Sequence, residues 1–245
     1  VASTVALVTP GVSHLPHFCC AWNRRWGRIR NGGAAGNELG EAVRSGSSIL
    51  PPPYWIPYGG PNLTQAVYDT PGGFPSRSDA PAGSGAYVFT GGPGTIDSSS
   101  VQMIDLSGAA AAIDAGGVPF RLSGAFGGYG AEDDTATLTL ELYDDTFAVL
   151  STTTIGGFTA ADRGGVTKLL PDSARGFVPA GTRSAMVTLL ATIAAGAYND
   201  GFADDLSLQL PEPGRAGGLC AVAALAAVAR RTRRQRIAAA GEGSR

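Results

Sequence analysis

Histidine and cysteine are almost missing from this chain of 245 residues. The two histidines are His14 and His17, and the three cysteines are Cys19, Cys20 and Cys220. With no cysteine between residues 21 and 219, the middle must be stable without a disulfide or a thiolate-bound metal. Cys19 and Cys20 are adjacent, where a bond between them is strained. The His14, His17, Cys19, Cys20 spacing fits no usual zinc-ligand pattern. Both histidines precede the region that reads as folded, so a Ser-His-Asp triad is not expected.

Charge is also scarce. Charged residues make up 16% and hydrophobic residues 44%, enough apolar material for a core and too little charge for full disorder. This composition excludes a coiled coil, a multi-span membrane protein and a basic nucleic-acid binder. The formal net charge of −2 hides a partition. Residues 1–36 carry +4, residues 211–245 carry +5, and the middle, 37–210, carries −11. An acidic middle repels phosphate backbones, so it is not expected to bind nucleic acid.

Glycine (36) and proline (16) are plentiful. They punctuate short apolar runs, as at Pro71-Gly72-Gly73 and Gly91-Gly92-Pro93-Gly94. Between them the pattern predicts strands at Gln65–Tyr68, Ala86–Thr90, Val101–Leu106, Val118–Ala125, Thr135–Tyr143, Phe147–Ile155, Arg175–Val178, Ser184–Ile193 and Leu206–Leu210. In Thr135–Tyr143, Leu138, Leu140 and Leu142 alternate with Thr137, Thr139 and Glu141, a period of two with one face buried. One short internal helix is expected at Gly108–Asp114, an alanine run stopped by Gly116-Gly117. The absence of strand–helix–strand alternation predicts an all-β fold, an antiparallel β-sandwich over 37–210.

The acids come in adjacent pairs, Asp133-Asp134, Asp144-Asp145 and Asp204-Asp205. Two carboxylates can run a glycosidase, but neighbours on a strand point to opposite faces. These pairs read as solvated acids at strand–turn junctions, and no enzyme is expected. Aromatics offer another chemistry, since sugar rings stack their C–H faces on exposed π-surfaces. Trp55 is expected in the core, leaving Tyr54, Tyr58 and Tyr129 as ligand-binding candidates.

The end of the chain reads differently. Pro211-Glu212-Pro213 closes the sandwich, and Ala216–Ala229 is an uncharged run of 14 residues that predicts an apolar C-terminal helix. Arg230, Arg231, Arg233, Arg234 and Arg236 follow at once. A helix of that length reaches about 21 Å, short of a hydrocarbon core of roughly 30 Å. Pro-Glu-Pro, an apolar stretch and an arginine cluster resemble the PEP-CTERM sorting signal of exported bacterial proteins. The resemblance implies export to the cell envelope, cell surface or extracellular matrix, with the membrane and an exosortase-type sorting enzyme as partners of the tail. Residues 1–36 show no clear leader, so the precursor is expected to begin upstream of Val1.

The middle resembles the jelly-roll domains of the galactose-binding and carbohydrate-binding-module kind. Asn31-Gly32-Gly33-Ala34-Ala35-Gly36 is similar to their opening motif, and Val178-Pro179-Ala180-Gly181-Thr182-Arg183 together with Tyr198-Asn199-Asp200-Gly201-Phe202-Ala203-Asp204-Asp205-Leu206-Ser207-Leu208 to their closing pair of strands. Such domains often hold one structural calcium where first and last strands meet, which implies Asn31, Asp200, Asp204 and Asp205 as candidate ligands. Gly33 and Ala35 stand where that family has acids, so weak calcium binding or none is expected. Two readings follow: a non-catalytic exported surface or matrix protein, or a carbohydrate-binding module for an extracellular polysaccharide.

Overall fold

The computed structural model describes residues 55–210 except 62, 83 and 95. The basic segment 1–36, the expected start of the sandwich (37–54), and the expected apolar helix and sorting tail (211–245) lie outside the described residues. Ten strands appear: β1 (Ile56–Pro57), β2 (Thr64–Val67), β3 (Tyr87–Pro93), β4 (Ser98–Asp105), β5 (Pro119–Gly128), β6 (Thr135–Tyr143), β7 (Val149–Gly156), β8 (Lys168–Phe177), β9 (Ser184–Thr192) and β10 (Tyr198–Gln209). They form two antiparallel five-stranded sheets, in the orders β1-β4-β9-β6-β7 and β2-β3-β10-β5-β8.

The period-two pattern does what it predicts. Leu138, Leu140 and Leu142 of β6 and Val187 and Leu189 of β9 face inward. They meet Leu122 and Phe126 of β5, Phe89 of β3, and Leu206 and Leu208 of β10. Trp55 joins this core as expected, packing edge-on to Phe89 with ring centroids 5.8 Å apart. A smaller apolar cluster lies on the far side of the second sheet, where Ala66, Val88, Ala125, Leu169 and Phe202 are covered by Tyr68, Phe74 and Ala80. The long connection between β2 and β3 is therefore a cover over one half of that sheet's outer face.

Strand β10 carries the closing motif, and two bulges explain its composition. One extra residue sits between Asn199 and Phe202, and another between Asp204 and Ser207. Asp205 takes φ 50° at the second bulge. That inserted residue lets Ala203, Leu206 and Leu208 all face the core, which strict alternation forbids. Buried Asn199 donates from Nδ2 to the Ala191 carbonyl of β9 at 2.9 Å, pinning one sheet to the other. A Cβ on Gly91 would stand 2.2 Å from Asn199 Cγ, so a glycine is needed beside it.

The short helix expected near Gly108 is present as a 3-10 turn, Ser107–Ala109, running into α1, Ala110–Asp114. A four-residue helical turn, α2 (Ala160–Arg163), also follows β7. A capping box holds it: Thr159 Oγ1 accepts from Asp162 N, Thr159 N donates to the Asp162 carboxylate, and Gly164 ends the turn at φ 70°. Among the described residues no helix is long and apolar enough to cross a membrane.

Candidate functional site

The outer face of the first sheet is built by alternation on five strands. Ile56 pairs with Val101, and two residues on, the Tyr58 amide donates to the Ser99 carbonyl at 3.2 Å. Tyr58 therefore stands on the same face as Val101, with 52% of its surface exposed. Further across, Met103 lies opposite Met186, Met186 opposite Glu141, and Glu141 opposite Thr152. The next row runs Val101, Thr188, Thr139 and Thr154, with the last two hydroxyls 2.9 Å apart.

Tyr143 ends the β6 stripe on this face. Its hydroxyl donates to Glu141 Oε2 at 2.9 Å. Partial burial, the hydrogen bond and charge of Glu141, and the nearby Tyr58 push the Tyr143 phenol up to about 12. It stays a neutral donor at every physiological pH. The five strands contain no lysine or arginine. The face therefore combines aromatic and thioether surface, a ladder of hydroxyls and two carboxylates, Glu141 and Asp105.

The tyrosines named from the sequence do not converge. Tyr58 belongs to the first sheet. Tyr129 follows β5 of the second, 40% exposed, with its ring laid over Gly73 of the covering loop. A Cβ at Gly73 would stand 2.3 Å from that ring. Tyr54 lies outside the described residues. Tyr143, Glu141 and Met186 were not nominated, although the alternation in β6 already put Glu141 and Tyr143 on its outward side.

The acids separate into two places. Asp200 gathers with Glu132 and Asp134, their carboxylate oxygens within 4.8 Å of one another. Asp134 is fully buried, which corrects its reading as a solvated turn acid. Its Oδ1 accepts from Ala194 N at 2.7 Å and Ala195 N at 3.3 Å, and its Oδ2 accepts from Asp200 N at 2.8 Å. Both oxygens thus organise the turn between β9 and β10. Burial, then the charges of Asp134 and Glu132, push the Asp200 carboxyl up to about 7. A cation could be held here in principle, but a protein cation stands close by. Arg163 is fully buried, donating to the carbonyls of Gly128, Gly130, Val166 and Glu132, and it interacts electrostatically with Asp133 and Asp134.

Asp204 is not part of that cluster. It is fully buried under the covering loop, where its Oδ2 accepts from the Tyr68 hydroxyl at 2.6 Å and its Oδ1 from Asp205 N at 2.7 Å. This too corrects a reading as a solvated acid. Asp205 is exposed at its bulge, and Asn31 lies outside the described residues. Asp144 is a turn acid as expected, accepting from Thr146 N, Thr146 Oγ1 and Ala148 N, which holds its carboxyl below the usual range.

No protein-family model matches the chain, and no curated protein does. Among solved structures it is similar to a family 16 carbohydrate-binding module, at 15% identity and a TM-score of 0.41, covering 63% of this chain and 89% of the other. It is also similar to the K1 cleaved adhesin domain of Lys-gingipain from Porphyromonas gingivalis W83, at 12% identity and a TM-score of 0.36, covering 66% and 93%. A third likeness is to the enzymatically active domain of bacteriophage CBA120 tailspike protein 4, at 16% identity and a TM-score of 0.38. It covers 65% of this chain, which spans only 20% of that structure's length. These likenesses are distant, and none assigns a ligand to this chain.

Proposed function

We propose that this protein is a non-catalytic polysaccharide-binding module that holds its glycan on the outer face of the β1-β4-β9-β6-β7 sheet. The observation that carries this is one outward face that bears the exposed Tyr58 at its edge and, further along, the Met103–Met186 pair beside the hydrogen-bonded Glu141 and Tyr143. Apolar ring and thioether surface suits the C–H face of a pyranose, while Glu141, Tyr143 and the threonine ladder match its hydroxyls. With two carboxylates and no cation on its strands, this face suits neutral chains and repels polyanions.

Catalysis has less support. The acids Asp144 and Asp162 are tied into a turn and a helix cap, and Asp134 and Asp204 accept hydrogen bonds from backbone amides, Asp204 from the Tyr68 hydroxyl as well. The order Pro211-Glu212-Pro213, apolar run and arginine cluster supports an exported, surface or matrix location reached through a sorting tail.

The test is a glycan array probed with the full chain and with Tyr58→Ala. The proposal expects binding to neutral glycans that falls about tenfold or more in the variant. Binding that ignores Tyr58, or no binding to any glycan, overturns it.

A further inference from the structure

The second sheet offers a different chemistry on its own outer face, beyond the half that the β2–β3 connection covers. Arg121 of β5 and Arg175 of β8 are directly opposite one another in register. Both are exposed on the outward side, since Phe120 and Leu122 flank Arg121 and point to the core. Like charges opposed across a strand pair repel, and sheets ordinarily avoid the arrangement. Among the described residues neither guanidinium has an ion pair or a hydrogen bond, the described ion pair being Arg183 with Asp114. This happens in a region whose net charge is −11, where acidic partners are plentiful.

The neighbouring row on the same face is all hydroxyl. Ser173 of β8 lies opposite Ser123 of β5, and Ser123 opposite Ser207 of β10. Arg121, Ser123, Ser173 and Asp205 line an open groove of about 460 Å³. Asp205 reaches it because the β10 bulge sets it at φ 50° and leaves it exposed. Asp172 also borders the groove, but its carboxylate is already used, accepting from Gly156 N at 2.9 Å and Ser173 N at 2.8 Å.

We infer that this groove is a second binding site, specific for a carboxylate-bearing sugar such as a uronic acid. A guanidinium presents parallel N–H donors that match a planar carboxylate; Arg121 lines the groove, and Arg175, directly across the strand pair, adds a second positive charge beside it. The serine row and the Asp205 carboxylate then meet the hydroxyls of the same sugar ring, as donors and acceptors respectively. The site is opposite in charge preference to the outer face of the first sheet. A single domain thereby takes a neutral chain on one side and an acidic chain on the other.

The test is calorimetric titration of the full chain with tetragalacturonate at near-physiological salt. Controls are a heparin oligosaccharide of similar length and a neutral cello-oligosaccharide. Variants are Arg121→Gln, Arg175→Gln and Tyr58→Ala. The arginine-rich segment 211–245 is common to all of them and contributes an equal background. The site predicts that tetragalacturonate binding falls about tenfold or more in each Arg→Gln variant and is unchanged by Tyr58→Ala. Loss of binding in Tyr58→Ala would move the acidic sugar to the first sheet and overturn the inference. So would equal affinity in wild type and both arginine variants, tighter arginine-dependent binding of heparin, or no tetragalacturonate binding. Both arginines are exposed and mutually repelling, so the variants should unfold at the wild-type temperature or above, which separates lost binding from lost folding.

Discussion

The Tyr68 hydroxyl donates to Asp204 Oδ2 at 2.6 Å, a bond between residues 136 positions apart that fastens the covering loop to the last strand. Burial and the Asp204 carboxylate together raise the Tyr68 phenol far above its ordinary value, so it remains a donor. Arg77 stands over the Tyr68 ring, 5.4 Å from its centroid, and donates to the Ser84 and Gly85 carbonyls. A buried carboxylate is thereby satisfied by a side chain that also seals the apolar patch above it.

Tyr68→Phe keeps the ring and removes one donor from a fully buried acid. We expect a loss of about 1–3 kcal/mol in urea unfolding, the cost of leaving a buried polar group short of a partner. A change inside experimental error would mean that water reaches Asp204 and the loop is not a true cover.

Asp200 predicts an unusual pH dependence. Its carboxyl is raised to about 7 in the folded protein, against about 3.9 in an unfolded chain. Between those values the native state holds a proton that the unfolded state has released. Stability from this group is therefore full below about pH 4 and is lost as pH rises toward 7. The group is half-buried, so screening reduces the effect to about 1–2 kcal/mol. Asp200→Asn should flatten the slope and stabilise the protein at neutral pH. Chemical unfolding at pH 5 and pH 7.5 reads the difference, and an identical slope in the variant contradicts this.

Calcium should matter little. Asp134 spends both oxygens on backbone amides, and the buried Arg163 guanidinium already offsets acids beside the cluster. The thermal midpoint should be nearly the same in chelator and in millimolar calcium. A tight site would add about 4 kcal/mol at a thousandfold excess over Kd, and a shift of that size abolished by Asp200→Asn would overturn the expectation.

Gly201 sits where β10 passes β6, and a Cβ there would stand 2.2 Å from the Thr135 carbonyl oxygen. Backbone cannot give way as a flexible side chain can. Gly201→Ala should cost about 1–3 kcal/mol or more, measured by the same unfolding experiment, and a neutral result would contradict this packing.

Local pattern was the most legible part of the fold. Thr135–Tyr143 forms a strand with the bounds its alternation predicts, because β9 keeps register with it along its whole length. Elsewhere tertiary packing overrode local signals. Gly91-Gly92-Pro93 reads as a turn yet belongs to β3, since Asn199 needs the space a side chain would fill. Pro171 and Asp172 hid the first half of β8, but an edge strand tolerates a proline. Periodicity alone missed the start of β10, which the closing motif from Tyr198 marked, because bulges break a period of two. The candidate face was legible in pieces only: Tyr58 drew notice as an aromatic, whereas Glu141, Tyr143 and Met186 acquire meaning from strands far apart in sequence. The acid cluster failed for the same reason, since nothing local joins Glu132 and Asp134 to Asp200.

The tail invites a cellular test. Cells expressing the gene with its upstream region should export the protein, and changing Arg230, Arg231, Arg233, Arg234 and Arg236 to Ser should leave it misplaced or unprocessed. Cytoplasmic retention of both forms, seen by fractionation, contradicts the sorting reading.

The most direct test of polysaccharide binding is amide chemical-shift mapping with the neutral glycan that binds most tightly on the array. The account predicts shifts confined to the outward-facing stretch of β4, β6 and β9, centred on Met103, Glu141 and Met186, with saturation lost in Tyr58→Ala. Shifts centred instead on the loop carrying Tyr129, or no saturable shifts at all, would contradict it.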